Sequence, residues 1–246
     1  MTSFNKLKDA ENVIAYQKQI LSRTGGRSSD NARLYHYTSI DNLLRIIKSG
    51  YIWLCSPKNM NDLLEKTVLQ NNGKDDLYFI SFSRANQSLA MFKMYASGED
   101  GIMLSITISD AKNLLLQKPF IVEKDTKTDK AVDAELYWTG VCYNELNSDR
   151  ITSPGKENHN IINPLNALAG SVKLMGWEFE KEVRLCANKL LPANQKLAVV
   201  LPKDHLEVVL CPQFNTEKNA GKLAELRENK IKYVESDYDK WIKYRL

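Results

Sequence analysis

The chain has 246 residues, and its 34 Lys and Arg residues exceed its 30 Asp and Glu residues by four, for a net charge of +4. With 43% hydrophobic and 26% charged residues, the composition is typical of a soluble globular protein and excludes a disordered chain. No run of about 18 apolar residues occurs, so we expect no membrane-spanning helix and no membrane partner. The first residues lack an export signal pattern, so the expected compartment is the cytoplasm.

The cysteine and histidine content excludes two further classes. The four cysteines are scattered without a Cys-x-x-Cys pair, and the chain has three histidines. Zinc sites and disulfide frameworks need such ligands or cysteines at regular spacing. We therefore predict no bound metal.

The N-terminal part is predicted to stand apart from the main domain. Apolar residues at helical spacing predict an amphipathic helix over 4–21. The stretch 22–33 contains paired glycines and serines and is typical of a flexible connector. We therefore assign 1–32 to a helix and connector, and 33–246 to a single domain.

The first half of this domain alternates short strands and helices. His36 lies in an aromatic, β-prone run, after which Ser39 or Thr38 caps a helix that ends at Gly50. Further elements are predicted as strands at 51–55, 77–83 and 101–107 and helices at 88–95 and 109–117.

In the second half, the charged stretch 123–135 is predicted to be a solvated loop. In 177–185, the apolar residues Trp177, Phe179, Val183 and Leu185 fall on one face and charged residues on the other, which predicts one strand. The remaining elements are strands at 136–143, 196–201, 206–210 and 231–236 and helices at 164–175 and 216–229. Strands grouped into sheets, with helices at irregular intervals, favour an α+β fold.

Two places attract attention because a buried charge or polar group needs a partner. His36 is flanked by large residues, and the alternative is a core histidine bonded to a backbone carbonyl. Carboxylates and an arginine share one face of 177–185, and the alternative is an edge strand with its charges in water. Asn61-Asp62 is interpreted as a capping or turn pair rather than a catalytic one.

Three spaced blocks carry a resemblance to a known family. They are LYHYTSIDNLLRIIKSGYIWLCSPKNMND from Leu34, YFISFSRANQSLAMFKMYASG around Tyr95, and WEFEKEVRL from Trp177. Together they resemble a family of bacterial and phage proteins of unknown function. The chain differs from the family pattern at three packing positions, Leu63, Phe92 and Val183.

That family is similar to a distant branch of the ADP-ribosyltransferase superfamily. The likeness lies in the order of a His on the first strand, a Tyr on a helix after a Ser-bearing strand, and a Glu on a late strand. It implies two small, mostly antiparallel sheets around a cleft, with peripheral helices, and NAD as co-substrate.

The resemblance places the chemistry at the late strand. Breaking the nicotinamide–ribose bond builds positive charge on the ribose, as in glycoside hydrolysis, and a carboxylate beside the sugar stabilises that charge. Glu182 is the first candidate and Glu180 the second. Arg184 either pairs with Glu182 or meets the pyrophosphate, since its guanidinium suits both partners.

The remaining cofactor contacts are also implied by the resemblance. His36 would bond the adenosine ribose, and Tyr95 would stack on the nicotinamide ring. The backbone at Tyr37 and the side chain of Thr38 would lie near the nicotinamide amide. Ser81, on the strand before Tyr95, would face the pocket.

Three hypotheses of function follow. The first and preferred one is an ADP-ribosyltransferase that modifies a macromolecule, with nucleic acid (DNA or RNA) favoured over protein, acting as a toxin or phage-defence effector; an antitoxin or regulatory protein would then be a further partner. The second is an inactive module of the same fold that binds a nucleotide or nucleic acid. The third is an interaction protein that docks through 178–184.

Overall fold

The computed structural model describes residues 33–60, 62–71, 76–96, 98–123, 126–144, 172–192, 195–203 and 205–236. The predicted helix at 4–21 and nearly all of the connector at 22–33 lie outside these ranges. The described strands are β1 (Arg33–Ser39), β2 (Tyr51–Leu54), β3 (Leu77–Ser83), β4 (Gly101–Thr107), β5 (Phe120–Glu123), β6 (Thr126–Ala131), β7 (Leu136–Gly140), β8 (Cys142–Asn144), β9 (Val172–Leu174), β10 (Glu182–Asn188), β11 (Gln195–Val200), β12 (Glu207–Leu210) and β13 (Lys232–Glu235).

The described α-helices are α1 (Ile40–Ser49), α2 (Leu63–Asn71), α3 (Leu89–Tyr95), α4 (Ile108–Leu114) and α5 (Ala220–Glu228). The strands form two mostly antiparallel sheets and a short parallel pair. This confirms the predicted α+β class with two antiparallel sheets and peripheral helices. No helix among the described residues is long and apolar enough to cross a membrane.

The described residues divide into two compact units. The first contains 53–81 and 115–199, and the second contains 33–52, 82–114 and 200–236. In the second unit, the strands follow the order β13-β12-β4-β1, and β1 also pairs with the end of β3. β1 and β4 pair antiparallel along their whole length, from Arg33 opposite Thr107 to Ser39 opposite Gly101.

The predicted helix α1 is confirmed with both of its ends. The Ser39 hydroxyl accepts a hydrogen bond from the Asn42 N–H at 3.3 Å, which satisfies one of the free donors of the first turn. Gly50 ends the helix with φ +78°, a conformation that glycine adopts without steric cost. Its N–H donates to the Ile46 carbonyl at 2.8 Å.

In the first unit, one group of strands follows the order β3-β10-β7 and another the order β2-β11-β5-β6. β10 therefore has a neighbouring strand on each side. Its residues from Glu182 to Ala187 are all buried, as expected for a strand that is covered on both faces. The alternative of an edge strand with its charges in water is therefore wrong for 182–187.

Three sequence predictions in this unit need correction. The stretch 123–135 is not all loop, because residues 126–131 form β6, which pairs antiparallel with β5. Residues 172–174 of the predicted helix 164–175 instead form β9, which pairs in parallel with β8; 164–171 lie outside the described residues. β6 is polar and β9 has three residues, so neither segment shows a strand pattern apart from its pairing with a neighbouring strand.

The predicted strand 177–185 is wrong over its first half. Residues Met175–Glu180 form a 3-10 helix, and β10 begins only at Glu182. Between them, Lys181 has φ +45° and donates its N–H to the Glu178 carbonyl at 3.1 Å. This left-handed residue is also the one at which the alternation is broken, since Lys181 is charged at an otherwise apolar position.

Candidate active site

Arg184 is the most deeply buried charged residue of the first unit, with an exposed fraction of 0%. It stands two residues after Glu182 on β10, so both side chains point to the same face. Arg184 Nε donates to Glu182 Oε1 at 2.7 Å, and Nη2 donates to Oε2 at 3.0 Å. Of the two alternatives for Arg184, the structure thus shows the ion pair with Glu182.

A second carboxylate, which the sequence analysis did not identify, binds the outer end of the same guanidinium. Arg184 Nη1 donates to Glu65 Oε1, and Nη2 donates to Glu65 Oε2 at 3.0 Å. Beneath the guanidinium lies the ring of Phe79, 4.3 Å from Cζ to the ring centroid. A bidentate pair of this kind holds the guanidinium in one orientation and also balances its charge.

Glu65 lies in the first turn of α2, and a cap at the start of this helix positions it. The Asp62 carboxylate accepts a hydrogen bond from the Glu65 N–H at 3.0 Å, so Asp62 caps the helix. This confirms the predicted capping role of Asp62, while Asn61 lies outside the described residues. The spacing Asp62-x-x-Glu65 is that of a capping box, a signal that indicates the helix start but not the contact with Arg184.

A second cation, Lys173, completes the cluster from β9. Its Nζ lies 2.7 Å from Glu180 Oε2 and 2.8 Å from Glu182 Oε2, and 3.9 Å from Glu65 Oε2. The Lys173 side chain is 8% exposed. Lys173 lies in the predicted helix 164–175, and no sequence signal marks it for this site.

Ser81, on β3, donates its hydroxyl hydrogen to Glu182 Oε1. Each oxygen of Glu182 therefore accepts from two donors, Oε1 from Ser81 and Arg184 and Oε2 from Arg184 and Lys173. A carboxylate has about four acceptor positions. In the structure, protein donors therefore occupy about all of the acceptor positions of the Glu182 carboxylate.

The cluster combines three carboxylates with two cations, so with all five groups ionised its net charge is −1. Burial raises the pKa of Glu182, but the charges of Arg184 and Lys173 and their hydrogen bonds outweigh it and hold that pKa well below its usual range. Burial likewise lowers the pKa of Lys173, yet the neighbouring carboxylates, Glu182 first, leave it raised. Glu182 is thus a charged carboxylate in a nearly water-free position.

The residues assigned to the adenosine and nicotinamide contacts lie on β1 and α3 of the second unit. His36 lies beside Phe82, with 5.7 Å between the ring centroids. Thr38, on the same face of β1, accepts a hydrogen bond at its hydroxyl from the Asn42 side chain at 3.2 Å. Both residues therefore have protein neighbours in the described structure.

Tyr37 points to the opposite face of β1, where its ring meets Phe92 of α3 edge-on at 5.0 Å. Its hydroxyl donates to the Ala85 carbonyl at 2.6 Å and accepts from the Ser88 N–H at 2.9 Å. Tyr95 packs, partly buried, against the cluster that contains Tyr37. This packing does not by itself bring Tyr95 to His36, and their joint contact with a ligand stays a prediction.

Comparisons with known proteins find similarity only to solved structures, at low identity. No protein-family model and no curated protein matches the chain. Among solved structures, the chain is similar to DarT of Thermus sp. 2.9 in complex with ADP-ribosylated ssDNA, with 13% identity, a TM-score of 0.40, and coverage of 85% of this chain and 95% of that one. For DarT with carba-NAD+ the values are 14%, 0.39, 86% and 98%, and for DarT with NAD+ 12%, 0.39, 83% and 95%.

The lowered pKa of Glu182 predicts a loss of stability in acid. An unfolded glutamate titrates near pH 4.3, so a lower pKa in the folded state stabilises the protein above that pH and stops doing so as the pH falls further. We expect the unfolding free energy of the wild type to decrease from pH 5 to pH 3 more steeply than that of Glu182→Gln. Urea unfolding at both pH values measures this, and equal decreases in the two proteins would contradict it.

Proposed function

We propose that the chain is an NAD-dependent ADP-ribosyltransferase that modifies a macromolecule, with nucleic acid favoured over protein. The observation that carries the proposal is the buried, ionised Glu182 at the position where the motif blocks place the glutamate of that superfamily. A carboxylate held charged away from water stabilises a developing cation more strongly than one in water does.

The reaction would break the bond between ribose C1′ and the nicotinamide nitrogen. Nicotinamide leaves with the bonding electrons, the ribose becomes cation-like, and a nucleophilic atom of the acceptor bonds C1′ and loses its proton. Glu182 would stabilise the cation or bond a ribose hydroxyl. Ser81 and Arg184 would keep this carboxylate in one orientation, which is the preorganisation that such stabilisation requires.

The full set of donors around Glu182 means that a ribose hydroxyl has to replace one of them. Lys173 is the donor most easily replaced, because it reaches Glu182 with one nitrogen on a flexible stem, whereas Arg184 uses two. Glu180 lies 2.7 Å from the same Nζ and would retain the lysine. In this account Glu180 is a partner of Lys173, and Glu182 is the catalytic carboxylate.

The other site residues enter the proposal through the resemblance. His36 would bond the adenosine ribose, Tyr95 would stack on nicotinamide, and Thr38 with the backbone of Tyr37 would lie near the amide. The two hydrogen bonds of the Tyr37 hydroxyl to Ala85 and Ser88 support a contribution from its backbone rather than its side chain. As an effector of this class, the protein would act as a toxin or in phage defence and would be controlled by an antitoxin or regulatory protein.

One observation favours a second candidate function, an inactive module that binds a nucleotide or nucleic acid. Because protein groups already occupy about four acceptor positions of Glu182, its carboxylate is suited to a purely structural role. Thermal stabilisation by NAD or ADP-ribose without turnover would distinguish this module from the enzyme.

The acceptor is tested by incubating the protein and a cell extract with NAD labelled in its adenylate phosphate. We expect labelled product that resists protease and disappears with nuclease. Label that resists nuclease and disappears with protease would reverse the choice of acceptor. If neither label transfer nor NAD hydrolysis occurs, the enzyme proposal fails.

The assignment of the carboxylates is tested with Glu182→Gln and its matched control Glu180→Gln, which make the same chemical change within one cluster. Glu182→Gln should lower turnover about 100- to 1,000-fold, the usual effect of removing one preorganised group. NAD affinity should change little, because the charge acts mainly in the transition state. Glu180→Gln should lower turnover less than Glu182→Gln, because its side-chain oxygen can still accept from Lys173.

Because Glu182 is buried against Arg184, its Gln variant also loses stability. Both variants are therefore assayed at a temperature where each is folded by circular dichroism. If Glu180→Gln abolishes turnover and Glu182→Gln does not, the two residues have been assigned in the wrong order. If neither variant loses turnover, the enzyme proposal fails.

A further inference from the structure

The guanidinium of Arg184 is shared between two carboxylates from different elements. Glu182, on the same strand, bonds the side formed by Nε and Nη2, while Glu65, on α2, bonds the end formed by Nη1 and Nη2. The side chains of Glu65 and Glu182 are each 4% exposed. Water therefore has little access to replace either partner.

We propose that Glu65 is a positioning residue for the transferase reaction, acting through Arg184 on Glu182; this inference rests on the proposed function. By binding the end of the guanidinium, Glu65 leaves only its side for Glu182. Glu182 is thereby fixed in the orientation in which Oε1 also accepts from Ser81.

Glu65 also determines how much negative charge Glu182 presents to a ligand. With Glu65 in place, the single charge of Arg184 is shared by two carboxylates, and the cluster of five groups carries a net charge of −1. Without it, the net charge is zero and Arg184 has Glu182 as its remaining close carboxylate partner. A developing ribose cation would then be stabilised less, although the groups that contact the substrate are unchanged.

The position of Glu65 is itself rigid, as a positioning residue requires. The Asp62 side chain accepts from the Glu65 N–H at 3.0 Å, and the Asp62 carbonyl accepts from the Lys66 N–H at 2.9 Å. The first turn of α2 is therefore fixed on both sides of Glu65. The carboxylate has little freedom to follow Arg184 if the guanidinium shifts.

The test compares Glu65→Gln and Glu65→Asp with the wild type in NAD turnover. We expect Glu65→Gln to lower kcat about 10- to 100-fold, the range found when a residue that orients a reacting group is removed. KM for NAD should change less than about threefold, because Glu65 contacts no substrate in this account. Glu65→Asp keeps the charge and should recover part of the lost kcat.

The matched control is Asp110→Asn in the second unit. Asp110 is also a buried carboxylate, bonded to the Thr107 hydroxyl at 2.6 Å and to His205 Nδ1 at 3.2 Å, so its change reproduces the loss of a buried charge. We expect it to lower the melting temperature without changing kcat. A loss of kcat in Asp110→Asn as large as in Glu65→Gln would show a general effect of destabilisation and overturn the proposal.

The remaining outcomes also decide the proposal. A folded Glu65→Gln with wild-type kcat overturns it and leaves the proposed function intact. If Glu65→Gln does not fold, Glu65→Asp decides: reduced kcat at unchanged KM supports the positioning role, and wild-type kcat overturns it. A wild type without NAD turnover overturns the proposed function, and the positioning role with it.

Discussion

The guanidinium of Arg184 is the group on which the rest of the first unit's site depends. An arginine with no exposed surface is costly to bury unless its hydrogen-bond donors and its charge are both satisfied. Glu182 on the same strand and Glu65 on α2 do this, with Phe79 packed beneath. The contact ties the start of α2 to β10, and Lys173 adds β9 through Glu180 and Glu182.

The same contacts that make the cluster stable limit how it can act. A carboxylate surrounded by cations keeps its charge, which favours stabilisation of an oxocarbenium-like ribose, but its acceptor positions are occupied before any ligand arrives. Under the proposed function, Lys173 would leave Glu182 and keep its contact with Glu180, while Arg184 stays in place. The Arg184 ion pairs would then keep the cluster folded, and the departure of Lys173 would free an acceptor position of Glu182 for the ribose.

The parts of the fold that the sequence predicts are those specified by nearby residues. Ser39 and Gly50 bound α1 because a cap and a left-handed glycine act within one turn, and the mostly apolar runs of β3 and β4 are predicted at their observed bounds. The alternation after Trp177 predicts one strand, but the turn at Lys181 limits β10 to its second half. The turn coincides with the break in the alternation at Lys181, a signal that one charged residue gives only weakly.

The site was partly predictable for the same reason. Glu180, Glu182 and Arg184 lie within five residues of one another and share the charged face of the predicted strand 177–185. Glu65 lies 119 residues before Arg184, and only the packing of α2 against β10 brings them together. Lys173 lies in a segment whose strand structure depends on β8. Long-range ion pairs of this kind leave no periodic pattern in a single sequence.

The central claim is that Glu182 is the carboxylate that meets the ribose of NAD. It is tested most directly by a crystal structure of the protein with an NAD analogue that cannot release nicotinamide. We expect the ribose on the nicotinamide side within hydrogen-bonding distance of Glu182, the Arg184 pairs with Glu65 and Glu182 intact, and Lys173 displaced towards Glu180. An analogue bound with its ribose away from Glu182, and with Lys173 still on that carboxylate, would contradict it.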